Sequence, residues 1–181
     1  MANGTETVVP GGMKGAEGLS FIVDPPVITL PVLRPVLDYW DGKRCNRPMP
    51  RRLDIEPLEL KAYLRHLFLI EPLPGGEFRY RLIGSEITER YGRNSTGKTV
   101  REAYADAPEA AEWLTTMLLA VTTGKRPVLA SGTLRAVRKE HVFSDSLHLP
   151  LSDDGDSVTM IFGAALYSAP PLPGVAASPV P

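Results

Sequence analysis

Apolar positions along the chain change their period several times, and each change marks an element. Leu33, Val36, Leu37 and Trp40 fall at i, i+3, i+4 and i+7, the single stripe of an amphipathic helix over Val32–Gly42. Pro35 suits its first turn, and Gly42 is a natural stop. A basic loop and a short helix over Glu56–Leu64 come next, and then the period falls to two. His66–Glu71 is a short apolar run, while Glu77–Ile83 alternates Phe78, Tyr80 and Leu82 with Arg79 and Arg81. Gly75-Gly76 between them predicts a hairpin. Ser85–Tyr91 and Val100–Ala105 read as short helical turns. Asp106–Thr123 reads as a longer helix, capped by Asp106, with Pro108 in its first turn and Gly124 at its end. Its apolar face runs through Ala110, Trp113, Leu114, Met117, Leu118 and Val121.

Three strands close the chain, over Val128–Val137, His141–Leu151 and Val158–Tyr167, the last two joined by a DDGD turn. The final strand is apolar on both alternating sets of positions, Val158, Met160, Phe162, Leu166 and also Ile161, Ala165. Such a strand belongs in the middle of a sheet. Two strands, a run of helices and three strands make an α+β arrangement with helices on one face of an antiparallel sheet.

Composition sets the boundaries. Eighteen prolines and sixteen glycines among 181 residues cluster toward the two ends. A flexible segment over 1–31, one domain over 32–168 and a proline-rich tail over 169–181 are expected. Lys+Arg 20 against Asp+Glu 21 leaves a net charge of -1, which excludes a globally basic nucleic-acid binder. The single cysteine, Cys45, excludes an internal disulfide framework and any cysteine-rich metal site. The longest strongly apolar stretch, Val158–Leu166, is far short of a membrane span. The first residues lack the basic start and apolar core of a secretory signal. A cytoplasmic location with no membrane contact is expected.

Several local patterns could carry chemistry. Gly92–Thr99, GRNSTGKT, satisfies the phosphate-loop pattern, in which Lys98 would reach phosphate oxygens and Thr99 would hold magnesium. That reading makes the chain a nucleotide-binding enzyme. It needs a buried strand before the loop, and SEITERY there is polar and helical in pattern. The structural alternative takes Gly92 and Gly97 as turn residues. Lys43–Arg52 carries five positive charges and no acid, which a nucleic-acid accessory protein could use. It lacks interleaved aromatics, and the flanking acids Asp38, Asp41, Asp54, Glu56 and Glu59 favour a solvated or internally paired loop. His66, His141 and His148 are scattered without metal-ligand spacing. Asp145 sits at an otherwise apolar phase with Phe143, Leu147, Leu149 and Leu151. It is expected to be a buried carboxylate, paired with Arg79 or Arg81, or to lie near the strand end.

LDYWDGKR, RPMPRRLDIEP, FRYRLIGSEITERYGRNSTGK and the closing HLPLSDDGDSVTMIFGAAL carry a resemblance. Over about Val32–Tyr167 the chain resembles PAS domains, and within them a family of small proteobacterial single-PAS proteins. Arg81 with Gly84, and Gly92, Arg93, Thr96 and Gly97, are its most specific parts. The resemblance implies a five-stranded antiparallel sheet in the order 2-1-5-4-3, with helices on one face and the amphipathic helix outside the core. It also implies a glycine-rich segment without nucleotide chemistry.

For function, the resemblance implies a non-catalytic cytoplasmic sensory or regulatory module. Such a module binds a small ligand, a protein partner acting in trans, or both. A covalent flavin would need a cysteine in the short helices after the second strand, and a haem sensor of the familiar type a histidine on the long helix. Neither residue is there, so the cofactor is left open, with an apolar ligand as the expectation. Tyr80, Trp113, Met117, Phe143 and Phe162 are the expected pocket wall. Leu33, Val36, Leu37 and Trp40 are expected to pack on the outer face of the sheet, of the same chain or of a second copy, and to make a homodimer.

Overall fold

The computed structural model describes residues 12–14, 20–23, 31–134 and 139–168. Among these residues seven antiparallel strands form one sheet: β1 (Gly12–Lys14), β2 (Ser20–Val23), β3 (Leu67–Leu73), β4 (Glu77–Ile83), β5 (Val128–Leu134), β6 (Lys139–Leu151) and β7 (Met160–Ser168). They lie in the order β1-β2-β5-β6-β7-β3-β4. The last five strands in sequence are the expected sheet in the order 2-1-5-4-3. β1 and β2 extend it past β5, where the sequence predicted only a flexible segment. The rest of 1–31, the tail 169–181 and the outer end of the strand expected to reach Val137 fall outside the described residues.

Helix α1 (Arg34–Arg44) lies on one face of the sheet; α2 (Ser85–Tyr91), α3 (Val100–Ala103) and α4 (Pro108–Gly124) cover the other. The short helix expected over Glu56–Leu64 is a kinked 3-10 segment, Pro57–His66. α1 runs through Gly42 and ends at Cys45, whose left-handed φ of 48° closes it. α4 begins at Pro108 with Ala107 as its cap, one residue past the expected cap and without a side-chain bond, because Asp106 is drawn to Arg93 instead.

The sheet therefore has a core on each side. β7 lies between β6 and β3, and Ile161–Leu166 are buried throughout. Phe162, Ala164 and Leu166 join Leu147, Leu149 and Leu151 of β6 beneath α1. Ile161 and Ala165 face α4 with Phe68 and Ile70 of β3. Leu33, Val36 and Trp40 are buried in the first of these cores and Leu37 packs at its edge. The Trp40 indole N–H donates to the Pro150 carbonyl at 2.9 Å. The stripe thus packs on the chain's own sheet. Leu33, Val36 and Trp40 are buried within the chain, so of the two seats expected for the stripe the own-sheet one is seen.

The basic loop is paired internally. Lys43 meets Glu59 at 2.7 Å, Arg44 meets Asp41 at 2.8 Å, and Arg47 meets Asp54. Three of its five cations are thus held in ion pairs with acids that flank the loop or lie beside it. No described helix is long and apolar enough to cross a membrane.

Candidate functional site

Between the sheet and α2, α3 and α4 lies a cavity of about 540 Å³. Protein interiors are close-packed, with few voids larger than a water molecule, so a space of this size is a feature of the fold. It exists because large side chains meet small ones across it. α4 presents Trp113, Leu114 and Met117, α2 presents Ile87 and Tyr91, and Tyr104 joins them from the end of α3. Facing them the sheet offers Ala130 and Gly132 of β5, Ser144 and Ser146 of β6, and Ala165 of β7. Tyr80, Tyr91, Tyr104 and Tyr167 bring four phenols to one region. The Tyr91 and Tyr104 rings stand edge to face, 6.1 Å apart. Burial, the leading cause, raises the pKa of all four, so each phenol stays neutral as donor and acceptor.

Arg93 enters from the loop after α2. Its Nη1 donates to both carboxylate oxygens of Asp106 at 3.1 Å, and its guanidinium lies 5.8 Å from the Tyr104 ring centroid. Nη2 is enclosed without a hydrogen-bond partner. On the sheet side, His148 is 4% exposed and its ring lies 4.9 Å from that of Phe68. Both belong to strands flanking Gly163, their shared register partner on β7. The missing side chain of Gly163 lets Phe68 lean across and meet His148. Burial lowers the His148 pKa to about 4, against the carbonyls of Ser146 and Val128, which favour the proton.

Of the five residues expected to wall the pocket, Tyr80, Trp113 and Met117 do so. Phe162 does not: it lies beneath α1 in the opposite core. Phe143 shares the alternation of Leu147, Leu149 and Leu151, also on the α1 side, and is absent from the cavity lining. The cause is parity. A strand apolar on both faces does not reveal which set meets which helix. Ile161 and Tyr167 belong to the core on the cavity side of the sheet. Tyr91, Arg93, Tyr104 and His148 were missed. The available signal was Ser144, Ser146 and His148, a polar row at alternate positions of an otherwise apolar strand. Asp145, on the opposite face, accepts from the Ser131 hydroxyl at 2.6 Å, and Arg81 turns to Glu71 instead.

The glycine-rich loop is closed to phosphate because its donors are used. Gly97 N–H donates to the Tyr80 carbonyl at 2.7 Å, Lys98 N–H to Ser95 O at 3.0 Å, and Thr96 N–H to the Asn94 side chain at 2.9 Å. Thr99 caps α3, exchanging hydrogen bonds with Glu102. Lys98 itself is exposed. Lys98→Ala is therefore expected to change stability by no more than about 0.5 kcal/mol, whereas Gly97→Val, at φ +86°, loses about 1–3 kcal/mol. Urea denaturation of both variants checks this; nucleotide affinity that Lys98→Ala abolishes would restore the phosphate-loop reading.

His148 also gives a pH signature. Below pH 6.5 the unfolded chain takes up a proton that the folded imidazole refuses until about pH 4. Stability from this group is then present above pH 6.5 and is lost as pH falls through that window, by roughly 3 kcal/mol in all. Buried Asp145, its pKa raised by desolvation, has the opposite sign: its stability is lost as pH rises through its raised pKa. It is common to both proteins when wild type is compared with His148→Asn. The stability difference between them should shrink from pH 7 to pH 4; parallel profiles would refute the assignment.

Among the described residues no group of three His, Cys, Asp or Glu side chains is placed to hold a metal ion. A family model described as PAS domain matches residues 28–166. No curated protein and no solved structure matches the chain.

Proposed function

The chain belongs to the PAS domain family, and from that premise we propose that it senses a small, largely apolar ligand held in the cavity between the sheet and α2–α4. PAS domains are sensory and regulatory modules and are generally non-catalytic. The observation that carries the ligand reading is the cavity itself, about 540 Å³ walled mostly by aromatic and aliphatic side chains with a few converging polar groups. A core built only for stability would close such a space, since each void forfeits packing contacts.

The route outward runs through the sheet. β6 and β7 contribute one set of side chains to the cavity side and the alternate set to the core beneath α1. A ligand that shifts these strands changes the seat of α1, and with it the surface offered to a protein partner. Native mass spectrometry of the full chain, followed by extraction, tests the reading by asking what copurifies. Leu114→Trp should obstruct the cavity and abolish binding while leaving the fold intact. A ligand at about 100 times its Kd stabilises wild type by about 2.7 kcal/mol and leaves this variant unmoved. A copurifying molecule retained by Leu114→Trp would place the site elsewhere.

A further inference from the structure

Resting on the reading of the cavity as a ligand site, we propose that the ligand is an amphipathic carboxylic acid, its carboxylate held by the guanidinium of Arg93 and its apolar body lying between α4 and the sheet. The arginine supplies the first argument. Arg93 lines the cavity, and its Nη1 is taken up by Asp106, whose side chain is 62% exposed. Nη2 is shut off from water and has no hydrogen-bond partner. One edge of the guanidinium is thus turned to the surface and neutralised there, and the other is turned inward with its donors unused. A buried charged donor without an acceptor is unfavourable, and the planar fork matches a carboxylate in both geometry and charge.

The neighbouring phenols supply the second. The Tyr104 ring centroid lies 5.8 Å from the guanidinium, and the Tyr104 hydroxyl stands within hydrogen-bonding reach of Tyr80 and Tyr91. Burial keeps these phenols protonated, with the charge of Arg93 acting against it at Tyr80 and Tyr91. Even with both links of this row made, two of its three O–H groups are used and one remains for a guest. A carboxylate offers about four acceptor sites, so it can take the inner edge of the arginine and a phenol together.

Charge supplies the third. Arg93 is the single cation among the described lining residues, which suits a guest of one negative charge better than a phosphate of two. The acids of the lining, Asp106 and Glu109, are exposed, where water and salt screen their repulsion. A cationic guest would be repelled by the unpaired edge of Arg93. Phe68, Ile70, Leu114, Met117 and Ala165 give the rest of the guest an apolar bed.

Calorimetry on the full chain tests the proposal with decanoate, 2-naphthylacetate, their methyl esters and 2-(2-naphthyl)ethylamine. At least one acid should bind, tenfold or more tighter than its ester, which keeps the carbonyl and loses the charge. The amine should bind more weakly than the acid. In Arg93→Gln, acid and ester affinities should converge. Asp106→Asn frees the outer edge of the guanidinium, so the acid should bind it at least as tightly as wild type; a merely structural Arg93–Asp106 pair would weaken binding in both variants alike. In wild type the side-chain nitrogen resonances of Arg93 should move with the acid and not with the ester, a result that needs no variant to fold. Equal affinities of acid and ester, a preference for the amine, or an acid that Arg93→Gln binds unchanged overturns the proposed class and leaves the ligand cavity standing. If no probe binds, the proposed class falls. If in addition no molecule copurifies, the reading of the cavity falls with it.

Discussion

Gly163→Ala is expected to lose on the order of 4 kcal/mol of stability, enough to leave much of the protein unfolded at physiological temperature. A Cβ at this position would stand 2.1 Å from the Leu147 carbonyl oxygen and 2.4 Å from the Phe68 ring. The ring could turn away only by giving up its contact with His148. The carbonyl belongs to the neighbouring strand of the same sheet and has nowhere to go without breaking the β6–β7 ladder. Overpacking a well-ordered core by one carbon usually costs about 1–3 kcal/mol; a fixed backbone oxygen on one side puts this site above that range. Chemical denaturation measures the loss. A variant as stable as wild type would show that Phe68 does not lean over Gly163, and the floor of the cavity would have to be redrawn.

Trp40→Ala should lose about 3–5 kcal/mol, the range for removing a large buried aromatic. Trp40 is 3% exposed and anchors α1 to the sheet through both packing and its indole hydrogen bond to the Pro150 carbonyl. Alanine leaves a cavity and a buried acceptor without its donor. An eleven-residue helix is marginal in water on its own, so the expected state has α1 detached and Leu147, Leu149 and Phe162 uncovered. Hydrogen exchange should then show the α1 amides losing protection ahead of the sheet. A loss below about 1 kcal/mol with α1 still protected would mean that the helix is held by something other than this seat.

Most of the element pattern was legible in the chain. The stripe of α1, the alternation of β4, the apolar run of β7 and the long face of α4 are statements about period. Period follows directly from backbone geometry. The match to the structure is close there, and the departures fall at ends. Gly42 does not stop α1 because the turn closes three residues later at Cys45, and Asp106 does not cap α4 because an arginine competes for its carboxylate. β1 and β2 were not legible at all. Their segment is rich in glycine, and its strands form only because the free edge of β5 is there to receive them.

The candidate site divides along the same line. Trp113 and Met117 could be placed because a helix has one buried stripe and it must face the sheet. Phe162 and Phe143 could not, because a central strand buries both faces and a shift of one residue exchanges them. The residues of Gly92–Thr99 matched a phosphate loop by type, and only the hydrogen bonds of Gly97, Lys98 and Thr99 revealed that its donors were already taken. By itself, then, the sequence determined the elements, their order and the α+β layering, since these depend on local propensity and on which positions must leave water. Tertiary structure alone decided which face of the sheet encloses the cavity, that α1 seals the other face, and that His148, Arg93 and four tyrosines converge on one space. Those outcomes depend on contacts between residues far apart in the chain, and no local period encodes them.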